Sequence, residues 1–361
     1  MLKNSLEIIK KIESSGYDAY LVGGFVRDYY MKIPSSDVDI CTNAKPKELI
    51  NIFDNAKLPK EKYGAVTLYY KNIRYEITTF RCELKYENRR PIEIEYITSF
   101  YEDIARRDFT INALCMNSKE EIIDMFGGKN DIDRKVIRSV GDANKKFSED
   151  PLRMLRAIRF ATVLNFKLDK DVIDAIKNNA HLLLNISYFR KKEELNKIFV
   201  SVNAKYGIKL ICALKLDKYL ELNNLNKVKI TSDILGIWTN LNVLDKYPFS
   251  KLEIETINSV KEILKNKKIS KYEIYKYGLY TSTIAGEILG INKKNIIKLD
   301  KTLPIHSFKD INITTDEICS LLNKEPGKWL KDLYKDLEYK VLYQKVLNDN
   351  NKIKEYIIKE Y

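Results

Sequence analysis

The stretch "LVGGFVRDYYMKIPSSDVDI", residues 21–40, decides the fold. "AYLVGG" reads as a short apolar strand closed by Gly23-Gly24, "FVRDYYM" as the helix that follows, and "DVDICT" as a second strand. In a strand, residues two apart face the same side, so Asp37 and Asp39 project together while Val38 and Ile40 turn toward the core. Side by side, two carboxylates repel unless a cation lies between them. Oxygen ligands of this kind suit Mg²⁺, which takes one or two carboxylates and fills its shell with water and substrate phosphates. A pair of such ions, roughly 3.5–4 Å apart, activates an attacking hydroxyl and stabilises a leaving pyrophosphate. Gly23 and Gly24 let backbone N–H groups approach a phosphate with no Cβ in the way. Arg27, one turn into the helix, adds a fixed cation. Neither a GxxxxGK[ST] loop nor a GxGxxG loop is present. Glycine turn, cation and paired carboxylates together describe nucleotidyl transfer from a nucleoside triphosphate to a hydroxyl, with a two-Mg²⁺ site on Asp37 and Asp39.

Around this stretch the chain to about residue 140 reads as mixed α and β. A helix opens it, "KPKELINIF" is helical, and "AVTLYYKNIRYEITTF" is a hairpin turning near Lys71-Asn72. From about Ser148 the pattern becomes helical, with Leu and Ile at three- and four-residue spacing. At 361 residues the chain is too long for one small core. No apolar run reaches bilayer length, the start is an amphipathic helix instead of a secretory signal, and a cytoplasmic location is expected. The five cysteines form no CxxC pair, which argues against a zinc site or a disulfide framework. A net charge of +13 suits a polyanionic partner, although the Lys, Asn, Ile and Tyr bias of an AT-rich genome gives the same excess.

The motifs resemble those of the class II tRNA nucleotidyltransferase and bacterial poly(A) polymerase family. "LVGGFVRDYYMKIPSSDVDICT" is similar to its first motif, "RRDFTINAL" (106–114) to its second, "IDMFGGKNDI" to its hinge-like third and "EDPLRMLRAIRFA" (149–161) to its fourth. The tail "DEICSLLNKEPGKWLKDLYKDLEYKVL" resembles the family's RNA-contacting segment. The resemblance implies an α+β fold: a nucleotidyltransferase, polymerase-β-like mixed-sheet head over residues 1–140, then an all-α neck (141–205) and an all-α body and tail (206–361) that bind tRNA. It also implies Mg²⁺ as cofactor, a tRNA acceptor, and CTP and ATP as substrates. Gly23, Gly24 and Arg27 would hold the triphosphate. Arg107 and Asp108 carry over as ribose or nucleotide contacts supported by Asn112, with an ion pair that braces the head as the competing reading. Arg156 and Arg159 carry over as further nucleotide contacts. Glu76 is either a third metal carboxylate or a strand-edge charge.

The fourth motif can also be read physically. Ser148 is a good N-cap and Pro151 fits a helix's first turn. Asp150 and Arg153, three apart, are neighbours on one face and offer an acceptor beside a fork of donors. Cytosine and adenine present an amino donor next to a ring-nitrogen acceptor, whereas guanine and uracil present the reverse. Such a pair accepts C and A and rejects G and U with no template, which is the role the family gives it. Leu152, Leu155 and Ile158 are expected to pack on the core.

The implied activity is template-independent addition of CCA to the 3′ end of tRNA from CTP and ATP, with release of pyrophosphate. "ELKYENRRP" is similar to the flexible loop used for adding the terminal A, which disfavours a CC-only enzyme. An A-adding enzyme with a separate CC-adding partner shares every motif quoted, and a poly(A) polymerase is related. A non-catalytic RNA-binding protein would have no need for paired metal carboxylates. His181 and His306 do not precede Asp, so no HD phosphohydrolase motif is present. The Lys- and Tyr-rich stretch 261–278 is either an RNA contact or a solvated helix. No membrane and no protein partner are indicated.

Overall fold

The computed structural model describes residues 1–35, 37–57, 64–87 and 90–361, with 82–94 described by their backbone only. Two compact units result, Met1–Asn226 and Lys227–Tyr361. The first contains both stretches read as head and neck and continues through two further helices, Ala204–Ala213 and Leu216–Leu220.

The first unit opens with α1 (Leu2–Ser14), β1 (Ala19–Val22), α2 (Gly24–Tyr30), β2 (Asp39–Thr42), α3 (Pro46–Ile52), β3 (Ala56–Lys57), β4 (Ala65–Tyr70) and β5 (Ile73–Thr79). β6 (Arg81–Glu87), β7 (Arg90–Tyr96), α4 (Phe100–Ala105), β8 (Cys115–Met116) and β9 (Ile122–Ile123) follow. Seven strands form one mixed sheet in the order β3-β4-β5-β2-β1-β8-β9, in which only β2 and β5 run parallel. The α+β class read from the sequence is borne out. Lys71 (φ 48°) and Asn72 (φ 64°) both take the left-handed conformation that a two-residue hairpin turn demands, at the expected place. Glu7 steadies that turn by accepting from Tyr70 Oη at 2.8 Å and Lys71 Nζ at 2.5 Å. β6 and β7 pair antiparallel as a separate hairpin over the segment "ELKYENRRP". Its turn, residues 88–89, lies outside the described residues.

Packing fixes the sheet's position. Val22, Cys41, Phe80, Ile104 and Cys115 are buried together, and Tyr20 stacks on Phe100 at 4.0 Å between ring centroids. Burial pushes the Cys41 thiol far up and the Cys115 thiol up to about 12, so these cysteines behave as small apolar side chains.

Helices dominate after α5 (Gly128–Asp133) and β10 (Val136–Ile137): α6 (Ala143–Glu149), α7 (Leu152–Leu164), α8 (Lys170–Asn179), α9 (Tyr188–Phe199), α10 (Ala204–Ala213) and α11 (Leu216–Leu220). One strand signal was missed there. β11 (Lys167–Leu168) pairs parallel with β10. The expectation for Ser148 is also corrected. It is not an N-cap but lies in the last turn of α6, where its hydroxyl donates to the Lys145 carbonyl at 2.8 Å. The break falls at Asp150 (φ −134°, ψ 94°), because a residue before proline is driven out of the helical region. Pro151 stands at the N-cap of α7, and the Asp150 side chain accepts from the Leu152 N–H in its first turn at 3.2 Å. Leu152, Leu155 and Ile158 are buried as expected.

The second unit is helical: α12 (Ile234–Leu241), α13 (Lys251–Asn266), α14 (Lys271–Leu289), α15 (Lys293–Asp300), α16 (Thr315–Leu322), α17 (Trp329–Leu342) and α18 (Asn350–Glu360). Leu333, Leu337 and Val341 form the buried stripe of α17 at four-residue spacing and pack in one cluster with Ile353 and Ile357. The Lys- and Tyr-rich stretch runs from α13 into α14, which is interrupted at Gly278 (φ 78°, ψ 160°). Lys276 there lies over the rings of both Tyr272 and Tyr277. Among the described residues no helix is long and apolar enough to cross a membrane.

Candidate active site

A cavity of about 740 Å³ opens in the first unit where the ends of β1 and β2, the start of α2 and the N-terminal part of α7 converge. Gly23 makes the turn from β1 to α2 at φ 74° and ψ −137°, a backbone conformation essentially restricted to glycine. A Cβ there would come within 3.3 Å of Arg107 Nη1 and 3.7 Å of Asp39 Oδ2, so the missing side chain is what lets these two groups flank the turn. Arg27 is buried and held from two sides. Its Nε and Nη2 reach Asp28 Oδ1 at 2.8 and 2.7 Å, and its Nη1 donates to Asn112 Oδ1 at 2.7 Å.

The carboxylates sit as the alternation requires. Val38 and Ile40 are buried, while Asp37 and Asp39 open into the cavity. Asp37 belongs to the segment leading into β2, and Asp39 is the first residue of that strand. The parallel pairing of β2 with β5 sets Glu76 directly beside Asp39, and Glu76 lines the same cavity. Desolvation, then the neighbouring Glu76 and Asp37 charges, push the Asp39 carboxyl up, with Arg107 offsetting part of the effect. Asp37, Asp39 and Glu76 line one cavity without an ion pair among the described residues, yet among those residues no three acidic side chains are gathered into a metal-binding cluster, so a divalent cation there would rest on one or two carboxylates, with water and substrate phosphates filling its shell. The cavity's charges agree with that. Seven arginines and six carboxylates line it among the described residues, an excess of one positive charge that falls well short of neutralising a triphosphate.

Asp108 ties the second motif to the fourth. Its Oδ1 accepts from the Phe109 N–H at 2.8 Å and Asn112 Nδ2 at 3.1 Å, and its Oδ2 accepts from Arg156 Nε at 2.7 Å and Nη2 at 2.5 Å. Burial works to raise its pKa. Arg156, Asn112 and the Phe109 N–H outweigh burial and hold the carboxyl at about 2. Asp28, Arg27, Asn112, Asp108 and Arg156 thus form one continuous polar chain across the cavity wall. Arg107, beside it, leans toward the buried Asp103 at 3.7 Å, and its Nε is buried without a hydrogen-bond partner among the described residues.

Asp150 and Arg153 line the same cavity. The main chain brings them together, since the Arg153 N–H donates to the Asp150 carbonyl at 3.0 Å. Leu152 N–H occupies one Asp150 oxygen, and Arg190 Nη2 of α9 lies 3.8 Å from the other. Arg153 Nη1 reaches the Lys146 carbonyl at 3.4 Å and lies 3.8 Å from Glu149.

Gly23, Gly24, Arg27, Asp37, Asp39, Arg107, Asp108, Asn112, Asp150, Arg153 and Arg156 therefore meet in one cavity. Arg159 does not line it. Its guanidinium turns to the buried Glu194 at 3.2 Å, and burial pulls its pKa down. Glu76 was visible in the sequence, but only the β2–β5 register places it. Arg190 carried no local signal, because a single arginine on an amphipathic helix looks like any solvated one. Arg81 and Arg106 also line the cavity, and both reach Asp103, Arg81 by its backbone N–H and Arg106 by its side chain.

Comparison with known proteins agrees with this geometry. The Poly A polymerase head domain family matches residues 19–138, the polymerase A RNA and SrmB-binding site residues 165–225, and tRNA nucleotidyltransferase domain 2 residues 235–357. The CCA-adding enzyme of Ligilactobacillus salivarius is 35% identical over 392 residues, covering 96% of this chain and 94% of that protein. The CCA-adding enzyme of Staphylococcus epidermidis is 31% identical, covering 97% and 96%. The chain belongs to the CCA-adding enzyme family. The crystal structure of the Bacillus stearothermophilus CCA-adding enzyme in complex with CTP superposes with a TM-score of 0.87 at 28% identity, over 99% of this chain and 96% of that one. The resemblance drawn from the four motifs is borne out. The chain is a nucleotidyltransferase, an enzyme class that generally works with a divalent metal.

Proposed function

We propose that this CCA-adding enzyme family member completes the 3′ end of tRNA, adding C, C and A from CTP and ATP with release of pyrophosphate, and that it does so in the cytoplasm. What carries this is the meeting, in one cavity, of Asp37, Asp39 and Glu76, which have no ion pair among the described residues, with the Asp150 and Arg153 pair.

Asp37 and Asp39 would hold Mg²⁺ ions, with water and substrate phosphates completing their shells. Bound there, such ions would supply the charge that lowers the pKa of the acceptor hydroxyl and stabilises the leaving pyrophosphate. Arg27, fixed by Asp28 and Asn112, offers its charge to the triphosphate at the Gly23-Gly24 turn. Asp108 has four donors on its two oxygens, so its work is to hold Asn112 and Arg156 toward the nucleotide instead of taking a ribose hydroxyl directly. Arg107 sits across Gly23 from Asp39 and limits the repulsion among the carboxylates before the cation binds. Asp150 accepts from the exocyclic amino group of C or A, and Arg153 donates to the adjacent ring nitrogen. With U or G both contacts reverse, leaving acceptor against acceptor and donor against donor. Sites that leave buried polar groups unpaired in this way discriminate by roughly 10⁴-fold.

The test uses three acceptors: a tRNA lacking CCA, one ending in CC, and oligo(A), each with CTP, ATP or both plus Mg²⁺. Three nucleotides on the first acceptor are expected. Addition of A alone to the CC-ended tRNA would make this an A-adding enzyme, and long tails on oligo(A) a poly(A) polymerase. Asp37→Ala with Asp39→Ala should abolish incorporation, and full activity in that variant would refute the metal assignment.

A further inference from the structure

Phe160 takes part in none of the roles above, yet three guanidinium groups surround its half-buried ring. Arg159 lies 4.3 Å from the ring centroid, Arg156 5.5 Å and Arg27 5.6 Å. Arg156 shares a face of α7 with Phe160 at four-residue spacing. Arg27 arrives from α2, on the triphosphate side. The ring's remaining aromatic neighbour is the buried Phe109, edge-on at 5.8 Å and 75°. Phe160 also lines the cavity between the Gly23-Gly24 turn and the base-reading end of α7.

Three like charges in so small a volume repel. Each arginine has a carboxylate partner, Asp28, Asp108 or Glu194, but those anions lie on three different elements and pull the arginines apart. An aromatic face attracts cations through its quadrupole and carries no net charge. A carboxylate at this position would gather the arginines and cancel the charge that a triphosphate needs. An aliphatic side chain would fill the space and hold none of them. The Glu194 pair anchors Arg159, which fixes one cation on the ring and leaves Arg27 and Arg156 to be aimed into the cavity.

We propose that Phe160 is a positioning residue for nucleotide binding, holding Arg27 of α2 and Arg156 of α7 in register across the cavity while leaving their charges available to the nucleotide. This rests on the nucleotide-binding reading given under the proposed function. Phe160 touches no reacting atom, and base choice stays with Asp150 and Arg153.

Full-length wild type, Phe160→Leu and Phe160→Tyr are compared for CTP and ATP binding by calorimetry, for steady-state incorporation into tRNA, and for thermal melting. Loss of two cation–ring contacts should weaken both triphosphates by about five- to thirty-fold in Phe160→Leu. KM should rise more than kcat falls, with the preference for CTP over UTP unchanged. Phe160→Tyr keeps the ring and should recover most of the loss. Equal affinity in Phe160→Leu and wild type would overturn the proposal. So would a Phe160→Tyr protein that melts like wild type yet binds as weakly as Phe160→Leu, because the ring's shape and not its face would then matter. If the wild type binds CTP but transfers nothing, the transferase reading fails while the binding comparison still decides Phe160. A wild type that binds no triphosphate would overturn both.

Discussion

Replacing Asp108 by asparagine keeps the shape of the side chain and removes its charge. The structure sets the size of the effect. Native contacts hold the Asp108 carboxyl at about 2 against an ordinary value of 3.8, a difference worth about 2 kcal/mol of stability. Asparagine can still accept from the Phe109 N–H and Asn112, but its amide NH₂ would then face Arg156 Nε, donor against donor. The expected loss at pH 7 is therefore about 2–3 kcal/mol. The sign follows from a depressed native pKa. The carboxylate's contribution is fully present above about pH 3.8 and is lost as pH falls through about 2, so the gap between wild type and Asp108→Asn should close over that window.

Urea unfolding offers a built-in control, because both tryptophans, Trp238 and Trp329, lie in the second unit. Far-UV circular dichroism reports both units, tryptophan fluorescence only the second. The substitution should move the dichroism transition assigned to the first unit, and the KM values for CTP and ATP should rise together by roughly tenfold as Arg156 loses its anchor. A first-unit transition displaced by less than about 0.5 kcal/mol would refute the idea that this carboxylate carries the link between the second and fourth motifs.

Asp39→Asn should act in the opposite direction on stability. Because its native pKa is raised, the folded state loses stability as pH climbs from the ordinary carboxylate value through the raised one, and ionised Asp39 weighs against folding at neutral pH. In buffer with EDTA at pH 7 this variant should melt above wild type while incorporating no nucleotide, and an unchanged Tm would contradict the desolvation and like-charge crowding of this carboxylate. Arg190→Gln removes the cation near Asp150 Oδ2 and should lower the preference for CTP over UTP by roughly tenfold, read from competing incorporation; an unaltered ratio would leave Arg190 a bystander. A Cβ on Gly128 would stand 2.3 Å from the Thr110 carbonyl oxygen, so Gly128→Ala should destabilise the first unit by about 1–3 kcal/mol, measured by the same dichroism transition.

Local chemistry was legible in the sequence and long-range placement was not. The β1–Gly23–α2 turn, the Val38 and Ile40 alternation and the Lys71-Asn72 hairpin were readable because each is decided within a few residues by side-chain period or turn geometry. Ser148 misled because capping propensity is weaker than the exclusion of helical backbone before Pro151. Glu76 and Arg190 depended on which strand pairs with β2 and which helix packs on α7, and one chain's periodicity encodes neither. Arg156 and Arg159, three apart on one helix, looked equivalent. They separate only because Arg156 pairs with Asp108 of the second motif and Arg159 with Glu194 of α9.

How each carboxylate of the cavity is paired then separates those already held by arginines from those left open to the proposed cation, a distinction that spacing alone cannot draw. Asp28 and Asp108 each hold an arginine at 2.8 Å or less, so both are occupied in aiming cations into the cavity. Asp150 is only loosely approached by Arg190, which leaves acceptor capacity for a base. Asp37, Asp39 and Glu76 have no such partner among the described residues, and desolvation first, then the neighbouring Glu76, push the Asp39 carboxyl up. Neighbouring carboxylates left unpaired destabilise a fold, so their retention at the mouth of the Gly23 turn is intelligible when an external cation completes them. The same logic explains Arg107. Held by a buried Asp103 and set across Gly23 from Asp39, it moderates the repulsion without neutralising the site, so the proposed divalent ion would still meet net negative donors in Asp37 and Asp39.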